Sequence, residues 1–251
     1  MLLAVSLKMY LDPAATQTWA GQVAALAKRH PAVQRGDVSL WLLPSMPALA
    51  QTIERCQDTP VAAGAQDLFW EDRGAYTGAV SGADLAQIGC STVEIGHAER
   101  RTIFGEDDAI VARKTAAALR NGLIPLLCVG EEEPGDSDAA AAFCIEQLES
   151  ALGWVSEPAS VVVAYEPVWA IGQSEAASST HVGHVAQAIK AWLAERPALA
   201  DARVIYGGSA APGTLSELGA TIDGLFLGRF AHDTAALEQI VDEAAGMVGT
   251  G

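Results

Sequence analysis

Short runs of consecutive apolar, often β-branched residues recur along the whole chain: Leu2 to Val5, Val38 to Leu43, Val61 to Ala65, Thr92 to Ile95, Ile124 to Val129, Val161 to Tyr165, Arg203 to Tyr206 and Leu225 to Leu227. Runs of this length with little polar alternation predict strands buried on both faces. Between them apolar residues fall at helical spacing, as at Trp19, Val23 and Leu26, or at Ile110, Ala117 and Leu119. Strand and helix therefore alternate, which predicts right-handed parallel crossovers. An open doubly wound sheet shares this alternation, but it normally carries a Gly-rich dinucleotide turn after its first strand. Here the first strand runs into Ser6-Leu7-Lys8-Met9-Tyr10. Eight units over 251 residues match the size of a closed (β/α)8 barrel, and no Pro/Gly/Ser linker or charge block marks a second domain. The expectation is a single α/β barrel over residues 1–251.

Composition narrows the partners. Half of the residues are hydrophobic and 18% are charged, enough apolar surface for a substantial core. A formal charge of -16 repels nucleic acid and anionic membranes, so neither is an expected partner, and an anionic substrate has to be captured by local donors. Cys56, Cys90, Cys128 and Cys144 lack CxxC or metal-ligand spacing, so no disulfide, metal or cofactor is expected, and a reducing cytoplasm fits. No apolar run approaches the ~18 residues that span a bilayer, and no cationic leader is evident.

In such a barrel the chemistry sits where strands end at the C-terminal face. Lys8 follows the first predicted strand, His97 the fourth and Glu166 the sixth. Enolisation of an α-hydroxy carbonyl requires a base for the carbon-bound proton and electrophiles for the developing oxyanion, and these three side chains supply them. Each alone is weak evidence, because strand-end acids and histidines are often structural.

The surrounding segments strengthen the case. Ser6-Leu7-Lys8-Met9, Glu94-Ile95-Gly96-His97-Ala98-Glu99-Arg100-Arg101, Ala164-Tyr165-Glu166-Pro167-Val168-Trp169-Ala170-Ile171-Gly172 and Ile205-Tyr206-Gly207-Gly208-Ser209 resemble, in order and spacing, the signatures of the triosephosphate isomerase family. The resemblance covers nearly the full chain and implies a TIM barrel that isomerises a small phosphorylated sugar. It further implies Glu166 as the base, His97 as the electrophile, Lys8 as the positive charge and Glu99 as the partner that orients Lys8. Gly172, Gly207, Gly208, Ser209 and Gly228, with Ser6 and Arg229 nearby, are the expected substrate and phosphate contacts, since small residues let backbone N–H groups approach closely. Pro167, Val168, Trp169, Ala170, Ile171, Gln173, Ser174, Glu175 and Ala176 form the expected lid, with Tyr206 and Ser209 as its latch. Cys128 is read as core filler, and His30, His181, His184 and His232 as surface or capping residues.

Several positions depart from the family pattern: Ser6 replaces an Asn, Ala98 a Ser, Gln173-Ser174-Glu175 a Thr-Gly-Lys type of tip, Arg229 a Gly and Ala79 a Glu. The intact triad makes triosephosphate isomerisation the first expectation. Ser6 opens space beside the reacting carbons, so the alternative is a paralogue acting on a four-carbon ketose phosphate such as an erythrulose phosphate, and a non-catalytic sugar-phosphate binder is a remoter one. The long third loop, Gln66 to Ser81, is similar to the family loop that enters a neighbouring subunit and implies a homodimer formed around Thr77.

Overall fold

The structure is a computed structural model and describes residues 1–173 and 176–248. Its strands are β1 (Leu2–Ser6), β2 (Ser39–Leu43), β3 (Val61–Ala65), β4 (Thr92–Ile95), β5 (Ile124–Val129), β6 (Val162–Tyr165), β7 (Arg203–Tyr206) and β8 (Gly224–Leu227). The helices are α1 (Pro13–Arg29), α2 (Pro31–Gln34), α3 (Met46–Cys56), α4 (Gly82–Gln87), α5 (Ala98–Phe104), α6 (Asp108–Arg120), α7 (Ser137–Leu152), α8 (Ser179–Ala194), α9 (Thr214–Leu218) and α10 (Thr234–Val248). Each strand pairs in parallel with its sequence neighbours, and β8 returns to β1, so the sheet closes into the expected barrel. Closure leaves no open edge on the sheet. Gly224 makes it possible, because a Cβ there would fall 1.8 Å from the carbonyl oxygen of Leu2 on β1.

The alternation of side chains along each strand sorts residues into two cores. Leu3, Val5, Leu40, Leu42, Val93, Ile95, Leu127, Val129, Val163 and Tyr165 join helix residues such as Trp19, Val23 and Leu148 in the layer between sheet and helices. Leu2, Ala4, Trp41, Leu43, Leu126, Cys128, Val162, Ala164, Ile205 and Phe226 cluster without any helix residue and fill the barrel interior. This double burial is why the strands read as near-continuous apolar runs rather than alternating ones. Cys128 belongs to the interior set, as its role of core filler requires. All four cysteines are free and buried. No helix among the described residues is long and apolar enough to cross a membrane.

Candidate active site

Three strand ends converge at the mouth of the barrel. Lys8 lies two residues beyond β1 with φ 47°, a left-handed conformation that typically costs a non-glycine residue on the order of 1–2 kcal/mol. The turn aims its ammonium at Glu99, whose Oε1 accepts from Nζ at 2.7 Å. Glu99 sits in the first turn of α5, and His97 is the N-cap of that helix. The His97 Nδ1 accepts the backbone N–H of Glu99 at 3.1 Å, which assigns the ring hydrogen to Nε2. Nε2 in turn lies 3.8 Å from Oε2 of Glu166, which directly follows β6. One residue, Glu99, thus fixes the imidazole through its backbone and the ammonium through its side chain.

Glu166 is buried, and its Oε2 has no hydrogen-bond partner among the described residues. Gly207, after β7, gives the carboxylate its place: a Cβ there would fall 2.5 Å from Glu166 Cγ and 2.6 Å from Oε1. Ala98 and Cys128 line a small void beside Glu166, where an alanine offers no hydroxyl to the carboxylate. Burial disfavours the Lys8 ammonium, but Glu99, Glu166 and Glu94 outweigh it and hold the Lys8 pKa above its ordinary value. A cation is therefore secured at the mouth of a strongly acidic protein.

Glu94 was not singled out by the sequence reading. It lies on β4 between Val93 and Ile95, which face the helices, so it faces the barrel interior. It is 4% exposed, and its Oε2 accepts from the Ser6 hydroxyl at 2.8 Å. Burial pushes its pKa up to about 7, reinforced by Glu166 and opposed by His97, the Ser6 bond and Lys8. An acid at the inward position of an apolar strand was the signal that could have found it. Ser6, Lys8, Glu94, His97 and Glu99 line one cleft of about 830 Å³, which continues past Gln66 and Val80 of the third loop.

The expected lid leaves β6 through Pro167 and a short 3-10 helix, Val168–Ala170. The start of this segment is anchored on the buried Glu131, which accepts from Trp169 Nε1 at 2.8 Å and from the Tyr165 hydroxyl at 3.2 Å. His181 Nε2 also lies 3.0 Å from Glu131, so this largely buried histidine packs at the base of the expected lid and is not the surface or capping residue expected of it. The Ser209 hydroxyl donates toward the carbonyls of Ala170 and Gln173 at 3.2 and 3.0 Å, tying the loop after β7 to the expected lid. Its expected companion, Tyr206, is buried, and its hydroxyl has no hydrogen-bond partner among the described residues. Gly172 and Gly208 take positive φ angles of 74° and 120°, backbone that favours glycine. Gly228 precedes a 3-10 helix, Arg229–His232, and the Arg229 guanidinium lies 5.6 Å from the Tyr10 ring centroid. Ile171 and Ala176 continue the segment, whereas Ser174 and Glu175, expected at the lid tip, lie outside the described residues. Among the described residues, no group of His, Cys, Asp or Glu side chains is arranged to hold a metal ion.

Comparison with known proteins agrees with this arrangement. The triosephosphate isomerase family model matches residues 1–244. The chain is 49% identical to L-erythrulose-1-phosphate isomerase of Pectobacterium atrosepticum over 247 residues, covering 97% of this chain and 95% of that protein. It is 39% identical over 221 residues to triosephosphate isomerase of Moorella thermoacetica, covering 85% and 88% of the two chains. It is 37% identical over 231 residues to L-erythrulose-1-phosphate isomerase of Rhizobium meliloti, covering 90% and 89%.

Proposed function

The chain belongs to the triosephosphate isomerase family, and from that premise we propose that this isomerase acts on a four-carbon ketose phosphate, L-erythrulose 1-phosphate, rather than on a triose phosphate. The observation that carries the reading is the 49% identity, over nearly the whole chain, to a protein named for that substrate. It favours what the sequence offered as the alternative over triosephosphate isomerisation, its first expectation. Ser6 supports the same choice, because a small side chain leaves room beside the reacting carbons.

In this mechanism Glu166 removes the proton from the carbon next to the carbonyl. The His97 Nε2–H and the Lys8 ammonium stabilise the oxyanion of the enediolate, which is the transition-state charge that such donors serve best. Return of the proton to the neighbouring carbon gives a ketose whose carbonyl has moved by one position, so no metal or redox partner is required. The loops at Gly172, Gly207, Gly208, Ser209 and Gly228 hold the phosphate through backbone N–H groups, and the lid excludes water from the enediolate.

A homodimer is part of the reading. Met9, Tyr76, Ile103 and Phe104 are exposed, and the first, third and fourth line the cleft that also holds Lys8. The third loop around Thr77 stands beside them, held by tilted ring contacts of Phe69 with Trp70 and Tyr76, centroids 4.0 and 4.7 Å apart. A second copy of the chain would cover this apolar surface. The four buried free thiols suit the cytoplasm.

Side-by-side specificity constants test the substrate. kcat/KM should be at least ~10-fold higher for L-erythrulose 1-phosphate than for dihydroxyacetone phosphate, and Ser6→Asn should shift the preference toward three carbons by about 10-fold, as the loss of one methylene of room does. A wild-type preference for dihydroxyacetone phosphate that Ser6→Asn leaves unchanged returns the function to triosephosphate isomerisation.

A further inference from the structure

We propose that the Glu94 carboxyl group, steadied by Ser6, binds the hydroxyl of the extra hydroxymethyl group of a four-carbon substrate and so selects it over the three-carbon one. The inference rests on the four-carbon reading of the site. It begins from a carboxyl group in a place that packing does not ask for. The barrel interior that Glu94 faces carries Leu126 and Cys128 on the adjacent β5, with Leu43 on β2 and Ala164 on β6. Burying an acid among them is unfavourable unless its lone pairs are used.

Those lone pairs are only partly used. Ser6 engages Oε2, and no Lys or Arg forms an ion pair with Glu94 among the described residues. Lys8, a cation lining the same cleft, is bonded to Glu99 instead. A carboxylate has about four lone-pair sites, so capacity remains on the side facing the cleft shared with Lys8 and His97. The residue that frees the space, Ser6, is also the residue that fixes Glu94. Space and an oriented polar partner therefore occur together, as recognition of one added CH2OH demands. With burial holding the Glu94 pKa at about 7, both protonation states are present at neutral pH. Either form can bond a hydroxyl, which both donates and accepts.

Glu94 could instead act only through the charge it adds near His97 and Lys8, and then every substrate should respond alike. The test compares L-erythrulose 1-phosphate with its 4-deoxy analogue, in which a methyl group replaces the hydroxymethyl group, on full-length wild type, Glu94→Leu and Glu94→Gln. A site built to bond the hydroxyl should favour the natural substrate by at least about 100-fold in kcat/KM in the wild type. Glu94→Leu should bring that ratio to within about 3-fold of unity, and Glu94→Gln, which retains hydrogen-bonding atoms of similar shape, should fall between. If Glu94→Leu does not fold, the Gln variant decides, with a ratio at least ~5-fold below wild type expected. A wild-type ratio near unity, or variants that slow both substrates equally and keep the wild-type ratio, overturns the assignment while the four-carbon reading stands. A wild type that turns over neither four-carbon compound but isomerises dihydroxyacetone phosphate overturns the function reading and the Glu94 assignment together.

Discussion

Oε2 of Glu166 faces Nε2 of His97 at 3.8 Å, buried and with no hydrogen bond of its own among the described residues. A buried carboxylate oxygen in this condition is costly in a resting protein. It becomes useful when a substrate carbon carrying an acidic proton is presented to it beside His97. The first prediction follows: Glu166→Asp retracts the base by about one methylene and should lower kcat by on the order of 10²-fold, since ~1 Å of misplacement costs that much. Circular dichroism should show an unchanged fold. Turnover at the wild-type rate would remove Glu166 from the role of base.

Gly207 provides a gentler displacement of the same group. Gly207→Ala places a methyl group 2.5–2.8 Å from atoms of the Glu166 side chain, which can swing aside because it is the end of a flexible chain. We expect kcat to fall about 10-fold or more, with the melting temperature within a few degrees of wild type. A large loss of stability with unaltered kcat would show that the close approach serves folding and not the base.

Lys8 is held in a strained turn and bonded to Glu99. Lys8→Met removes a cation from both the phosphate and the enediolate, so KM should rise and kcat should fall by about 10²–10³-fold, the usual consequence of losing one oxyanion donor. Calorimetric titration with a phosphorylated enediolate mimic gives an independent check. Binding as tight as that of the wild type would separate Lys8 from the anion site.

Glu94 should also be visible in stability. Its folded pKa of about 7 exceeds its ordinary 4.5, chiefly through burial, so the folded protein holds this proton more tightly than the unfolded chain does. The groups facing it are Lys8 beyond β1, His97 beyond β4, Cys128 on β5 and Glu166 beyond β6. The contribution is fully present below about pH 4.5 and is lost as pH rises through about 7. Between pH 5.5 and 8 this loss amounts to about 2 kcal/mol. Urea denaturation of wild type and Glu94→Leu at both pH values should therefore show the variant gaining about that much, relative to wild type, at the higher pH. Parallel pH profiles would mean that Glu94 titrates normally.

The strands, their burial on both faces, and the strand-end positions of Lys8, His97 and Glu166 were determined by the sequence, because local apolar runs and helical spacing report neighbours close in the chain. The pairing of Lys8 with Glu99 was also legible, though only through the family signature. What the tertiary structure alone decided is how residues far apart in sequence meet inside the barrel. Ser6 and Glu94 stand 88 positions apart and are joined by one hydrogen bond. His181 reaches Glu131 across 50 positions, against the sequence expectation of a surface or capping role. The inward or outward side of β4 depends on register and closure, and a one-residue slip would have sent Glu94 toward the helices. An acid in an apolar strand is only a local exception until the barrel closes around it. Closure then buries it beside Ser6 and raises its pKa, since desolvation is a property of the whole fold and not of the segment that carries the charge.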